Sequence, residues 1–558
     1  MIILKDKIGS LIFLGLIILF ALLIYKDPFS QRTLIPNFEP YPDTFNYITP
    51  ALNLIRGKGL NMNREGREYK PNVPPLYSLS LIPAFIIKQD PRMSYYTNVV
   101  LAFIALVFFW AILKKISDNK LIIYTILILY ITNYFIYWVP SIILAENLIL
   151  TLSLVAIYFL LLEVSLINST VISVVAVGLY ATKFSIIPIS VLLTFLYLIR
   201  IWINKTSSSN KFKMIVYSIT ATALFYSLLA TVEWITKGNN IFIQVYEHIL
   251  RIYHSIIQSD IGSDGNATKQ ITYSSSWFGI EYIEKHFPSY LRVLLGSPDR
   301  FLWDFTPLVP NFIAIPAMIG LFSSLLIKNT RLIALILLLL MFGLITFMST
   351  FYSFDTRYIY ITIPILLIGF GLLLRNVENN FFRKKKLLLN ILVLIFLCLY
   401  FLTNAIRIKS QISLNLRYTE TPWNYISILK MNEYFIVDKI VNGKKPVLIS
   451  ALPPLLIDYY SNGNYTLLPL SYEQEFRRQD VRELVWGPND YSDLPKLYTK
   501  YLLEGYEVYV SRAGLGNEGY TNNDFNTIVE RFGTKLVLPG CYDQCNIYSV
   551  KLKDKNGK

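Results

Sequence analysis

Long apolar blocks alternate with short clusters of lysine and arginine along most of this chain. A helix that crosses the hydrocarbon core of a bilayer needs about 20 such residues. Residues 9–25 form the first block, and Lys5 and Lys7 before it place the N-terminus on the cytoplasmic side. No small-residue cleavage site is evident, so the block reads as a retained anchor and not as a removed signal peptide. Further spans are expected at 95–113, 121–138, 145–162, 214–235, 305–327, 331–350, 358–374 and 387–404. The stretch 169–201 is broken by Lys183 and Pro188 and reads as two short spans with Lys183 at the outer turn. Residues 76–88 are apolar but short, and Pro83 interrupts them, which suits an interfacial helix. The total is about eleven spans.

The basic clusters sort to one side. Lys114-Lys115 with Lys120, Arg200 with Lys205, Lys211 and Lys213, Lys328 with Arg331, and Arg375 with Arg383 to Lys386 all fall in cytoplasmic loops. The loops 26–94 and 236–302 are then outside. Composition agrees with a multi-pass protein of the plasma (inner) membrane: 54% of the 558 residues are hydrophobic and 16% are charged, against about 25% charged in soluble chains. The net charge of +15 is accounted for by this asymmetry and by anionic lipid headgroups, so nucleic acid is not an expected partner.

Residues 1–404 therefore form a membrane domain and 405–558 a soluble extracytoplasmic domain. In the latter, Val447 to Ser450, Tyr465 to Leu468 and Tyr506 to Val510 read as short buried strands, with a helix near 494–504. Lys535 to Leu538 and Ile547 to Val550 bracket a hairpin-like turn holding Cys541 and Cys545, which could pair in an oxidising compartment or remain free thiols. The alternation suggests a small α/β layer. No internal repeat is found, and the one low-complexity tract is Ser207 to Ser209.

Candidate chemistry clusters before the second span and at span mouths. Asp43 lies in Glu39-Pro-Tyr-Pro-Asp-Thr-Phe-Asn-Tyr47, and Tyr69-Lys-Pro-Asn-Val-Pro-Pro-Leu-Tyr77 follows. Ala145-Glu146-Asn147-Leu148, Ala181-Thr182-Lys183 and Thr356-Arg357-Tyr358, leading to Pro364, lie at later outer ends. Together with the topology, these residues resemble the GT-C class of integral-membrane glycosyltransferases. The similarity is to the superfamily of the lipid A aminoarabinose transferases and the protein O-mannosyltransferases, over roughly residues 1–400. The resemblance implies an α-helical polytopic GT-C fold of about eleven transmembrane helices with a C-terminal α/β domain. It also implies transfer of a single sugar, with inversion, from a polyprenyl-phosphate donor to a lipid, glycan or protein acceptor. Two departures narrow it. Asp43 precedes Thr44, where the O-mannosyltransferases carry Asp-Glu. The run Trp486-Gly-Pro-Asn-Asp-Tyr491 does not match the Trp-Trp-Asp-Tyr-Gly signature of oligosaccharyltransferases, so transfer of a whole oligosaccharide is not expected.

Such a displacement needs a base for the acceptor and cations for the leaving phosphate. By resemblance Asp43 is the base, and Lys70, Lys183 and Arg357 hold donor phosphate. Glu146 is a second acid, able to ligate a divalent metal ion, which it could share with Asp43, or to orient a cation or the acceptor. Pro71, Pro74, Pro75, Tyr77 and Tyr358 shape the site. Each residue also has a plainer reading: Asp43 as a helix cap, Glu146 and Lys183 as snorkelling groups, and Arg357 as the partner of Asp355. The abundant tyrosines (Tyr41, Tyr47, Tyr69, Tyr77, Tyr95 and Tyr96) suit an interfacial belt. His248, His254 and His286 read as loop or surface residues. The absence of a Gly-rich phosphate loop fits a lipid-borne donor. From another class, a lipid or polysaccharide transporter would show paired broken helices in two repeated halves, and only 169–201 suggests one.

The charge asymmetry yields a topology prediction. A reporter fused after Ser410 should read as extracytoplasmic. A cytoplasmic signal there would separate the C-terminal domain from Asp43 and dismantle the outer site.

Overall fold

In lipid a backbone must satisfy its own hydrogen bonds, so the apolar blocks are bound to coil. In the computed structural model each block does so. Described are residues 7–25, 42–63, 73–203, 208–235, 281–296, 308–351, 354–382, 385–416, 444–451, 454, 457–458, 463, 465–470, 489–512, 519–538 and 546–553. The predicted spans correspond to α1 (Lys7–Ile24), α4 (Ser94–Ile116), α5 (Lys120–Ile131) with α6 (Tyr134–Trp138), α7 (Glu146–Leu161), α8 (Leu166–Tyr180), α9 (Ile187–Ile203) and α10 (Ser208–Ile235). Three further helices of the first half and loops are α2 (Pro42–Ile55), α3 (Leu76–Ile87), which covers the expected interfacial segment, and α11 (Glu281–Leu295). The bundle closes with α12 (Asn311–Leu326), α13 (Arg331–Met348), α14 (Thr362–Asn380) and α15 (Lys386–Leu416).

Span length is less uniform than composition suggests. Among the described residues four helices are long and apolar enough to cross a membrane, or five if the α5–α6 pair, bent by 60°, counts as one. Others, such as α7, α8, α9 and α12, are shorter apolar helices. The bend follows from Asn133, whose side chain caps α6 by accepting from Phe135 N at 3.0 Å and donates to the Leu308 carbonyl at 2.7 Å. The last helix also runs on past residue 404 to Leu416, and Asn415 donates to the carbonyl of Leu23 at 2.7 Å, pinning its end to that of α1.

The C-terminal region forms β1 (Val447–Ser450), β2 (Thr466–Pro469), α16 (Leu494–Leu503), β3 (Val508–Ser511), α17 (Gly519–Arg531), β4 (Phe532–Leu538) and β5 (Ile547–Leu552). The sheet order is β2-β1-β3-β5-β4. β1 pairs in parallel with β2 and β3, and β5 pairs antiparallel with β3 and β4. The hairpin therefore forms as expected, while Cys541 and Cys545 lie outside the described residues. Alternation along the strands splits the side chains between two cores. Val447, Ile449, Val508 and Val510 pack with Leu497 and Tyr498 of α16 and Phe525 of α17. Leu448, Leu467 and Tyr509 on the opposite face join the apolar cluster of the helical bundle.

The closest helix crossing joins α12 and α14. A Cβ added at Gly369 would stand 2.6 Å from the Ala317 carbonyl oxygen, and one at Gly320 2.0 Å from that of Gly369. Small residues let the backbones meet here, and Asn376 donates to Ser324 Oγ at 2.9 Å farther along the same crossing. Gly371 on α14 is different: its Cβ would meet Ile126 at an ordinary 3.5 Å.

This contrast is testable. Alanine favours a helix over glycine by about 1 kcal/mol, so Gly371→Ala should hold or raise the melting temperature of the purified protein. Gly369→Ala should lower it, overpacking costing ~1–3 kcal/mol. Equal melting temperatures would show that the crossing is looser than described.

Candidate active site

The site is assembled by three turns. The first is the Pro74-Pro75 corner. Both prolines are buried, and Pro75 opens α3 with φ −83° and ψ −19°. Leu76 N then donates to the Ala181 carbonyl at 2.8 Å, stitching the first loop to the α8–α9 turn. Tyr77 follows, fully buried, donating to Asn98 Oδ1 at 2.7 Å while Asn98 donates to the Ile142 carbonyl at 2.6 Å. Burial pushes the Tyr77 phenol well above its ordinary range, so it stays a neutral donor. Thr44, the residue after Asp43, donates to the Ile143 carbonyl at 3.2 Å. Both contacts reach the segment that leads into Glu146.

Glu146 is the first residue of α7, where the helix dipole favours negative charge. The second turn presents its partner. α8 ends at Tyr180, Thr182 Oγ1 donates to the Gly178 carbonyl at 2.7 Å, and a short 3-10 turn from Phe184 leads into α9. That reversal points Lys183 inward, with Nζ 2.8 Å from Glu146 Oε1. The Glu146 side chain is only 5% exposed, so the pair is a buried one. Lys183 Nζ also stands 5.1 Å from the centre of the Tyr358 ring, within cation–π range.

The third turn comes before α14. Asp355 caps a 3-10 turn over Thr356–Ile359 by accepting from Arg357 N at 2.9 Å, and its Oδ2 meets Arg357 Nη2 at 2.6 Å. Glu146, Lys183, Ser185, Arg357, Tyr358 and Tyr360 line one small pocket. Four sequence candidates thus meet, and Pro74, Pro75 and Tyr77 frame them. Asp43 is the second residue of α2, after Pro42. This is inside the first turn and not at the cap position, and proline suits the first helical position. Its side chain lies outside the described residues, as do Lys70, Pro71, His248 and His254.

Two solved structures share this architecture. Crystal structures of ArnT from Cupriavidus metallidurans match with TM-scores of 0.60, bound to undecaprenyl phosphate, and 0.55, in the apo state. The alignments cover 98% of both chains in the first case and 97% of both in the second. The chain has the GT-C fold. Sequence identity is 11% and 10%, no protein-family model matches, and no curated protein matches by sequence. With its apolar helices, the GT-C architecture makes this an integral membrane protein.

Within that fold, some site residues escaped the sequence. His286 is not a surface residue: it is 3% exposed, stacked on Tyr282 with centroids 5.8 Å apart and packed near Phe354 at 6.2 Å. Tyr290, one turn on, receives a hydrogen bond from Asp355 N at 3.4 Å, and burial pushes its phenol upward. The spacing Tyr282, His286, Tyr290 puts all three on one helical stripe, a signal the loop reading passed over. Tyr360 and Ser185 were missed because each sits inside an apolar run. As for a divalent ion, the charged groups sharing the Glu146 pocket are the cations Lys183 and Arg357. Among the described residues no three of His, Cys, Asp and Glu come together. The described donors by themselves do not make up a metal site, and the side chain of Asp43, the second acid expected to share an ion, lies outside the described residues.

The buried pair can be separated from any ligand role. Lys183→Met leaves a carboxylate buried without its cation, which costs ~3–5 kcal/mol, and should lower the melting temperature. Adding Glu146→Gln should recover most of that stability. If Lys183 serves only Glu146, the double variant will regain donor binding together with stability. We expect stability to return and donor binding to stay weak.

Proposed function

We propose that this chain is a polyprenyl-phosphate-sugar-dependent glycosyltransferase. In this reading it moves a single sugar, with inversion, to a lipid, glycan or protein acceptor on the outer face of the membrane. The observation that carries the reading is the convergence of Glu146, Lys183, Arg357 and Tyr358 in one pocket of a GT-C fold. Support also comes from the undecaprenyl phosphate bound by one of the ArnT structures.

The chemistry is a displacement. The acceptor oxygen forms a bond to the anomeric carbon as the bond from that carbon to the phosphate oxygen breaks. Asp43 accepts the acceptor proton, and polyprenyl phosphate leaves with one more negative charge than it carried as a diester. Lys183 and Arg357, with Lys70 from the first loop, stabilise that added charge, which is where fixed cations accelerate the step. Arg357 is already oriented by Asp355, so its planar guanidinium is preorganised for phosphate oxygens. Lys183 must share its ammonium between Glu146 and the incoming phosphate. Outward placement of the C-terminal sheet and the cytoplasmic N-terminus belong to the same proposal, on the strength of the Lys/Arg asymmetry.

Asp43→Asn separates base from scaffold. Asparagine is isosteric, and loss of the charge in the first turn of α2 costs only about 0.3–1 kcal/mol of helix-dipole energy, so folding and donor binding should persist. Without a base, transfer should fall about 10²- to 10⁴-fold. The measurement is sugar transfer in vesicles at saturating donor, with protein level matched by blot. Wild-type turnover in Asp43→Asn would assign the carboxylate to scaffold alone.

A further inference from the structure

Three of the residues that line the pocket with Lys183 and Arg357 carry an oxygen that no protein group satisfies. Glu146 Oε2, Ser185 Oγ and Tyr360 Oη are buried without a hydrogen-bond partner, in residues that are 4%, 8% and 2% exposed. The three residues line one cavity of about 10 Å³, the space of about one water. Buried polar atoms are rarely left dry, so something small belongs there.

The donor and acceptor pattern narrows what that is. The carboxylate oxygen only accepts, whereas the two hydroxyls can donate or accept. A cation would satisfy Glu146 but would sit against Lys183 and Arg357. An anionic oxygen would satisfy the two hydroxyls but face the carboxylate. A group that donates once and accepts twice satisfies all three, and a water or an alcohol does this. We propose that Glu146, Ser185 and Tyr360 form a hydroxyl-binding subsite, filled by water in the free protein and by one hydroxyl of the transferred sugar in the donor complex. This rests on the glycosyltransferase reading above, because the sugar is bonded to the phosphate placed at Lys183 and Arg357 on the wall of the same pocket. It makes Ser185 and Tyr360 determinants of sugar choice.

The test compares lipids with and without a sugar. Affinities are measured on the purified full-length protein for undecaprenyl phosphate and for a panel of undecaprenyl-phosphate-linked pentoses and hexoses. In the wild type at least one sugar-bearing lipid should bind more tightly than the bare lipid. Tyr360→Phe and Ser185→Ala should each erase about tenfold of that preference and leave bare-lipid affinity unchanged. A donor lacking the recognised hydroxyl should lose as much in the wild type and nothing further in Tyr360→Phe. Ser185→Ala, the smaller change, carries the test alone should Tyr360→Phe not fold. Equal losses for bare and sugar-bearing lipids, no losses at all, or a wild type indifferent to every sugar would overturn the subsite. A wild type that binds neither kind of lipid would instead overturn the donor assignment itself.

Discussion

A carboxylate taken out of water must meet a cation or lose its charge. Glu146 is in that position, and Lys183 answers it at 2.8 Å across 37 residues of sequence. Much of the outer site follows from this one contact. The turn carrying Lys183 cannot drift from the start of α7, and the Pro75–Leu76 corner is hydrogen-bonded to that same turn through the Ala181 carbonyl. Three chain segments far apart in sequence are thereby held together around the pocket. The second cation of the pocket, Arg357, pairs with Asp355 beyond the lining, so each of the two cations is already engaged by an acid. Under the proposed function, an anionic donor would enter by redistributing existing contacts, and not by neutralising a bare cationic patch.

Much of the fold was legible because bilayer thickness imposes a length on apolar runs. Each predicted span meets a helix, and even the interruption at Lys183 and Pro188 appears as a turn between α8 and α9. The sheet was legible from short β-branched runs, with strands displaced by one or two residues. What composition did not reveal was amphipathic. The helix Glu281–Leu295 mixes charged and aromatic residues and looks polar in aggregate, and its role shows only in the stripe facing Phe354 and Asp355. Nor did hydropathy show where a span ends when its helix does not: polar residues after 404 signal the exit from lipid, yet good helix formers carry α15 to Leu416.

The site was readable in its charges and not in its hydroxyls. A lysine or glutamate inside an apolar stretch stands out because lipid exposure is costly. Tyr360 and Ser185 carry no such penalty signal, since tyrosine and serine are unremarked in any span. The plainer reading of Arg357 holds, since it pairs with Asp355, whereas that of Lys183 does not: it is engaged by a protein acid and not by the interface. Pairing and ligand binding are compatible, because a charge-assisted contact to a carboxylate uses only part of the donor capacity of either cation.

The two-faced sheet has a consequence for modularity. Among the described residues, Leu448, Leu467 and Tyr509 of the sheet belong to the same apolar cluster as the membrane bundle. Cutting the chain after α15 would uncover an apolar patch on each fragment, and grafting a foreign sheet would demand a matching one. The C-terminal layer therefore behaves less like a tethered module than like a lid moulded to its vessel. Substitutions on that face and on the helices it packs against should accumulate together in related chains, while the exposed faces of α16 and α17 remain free to vary.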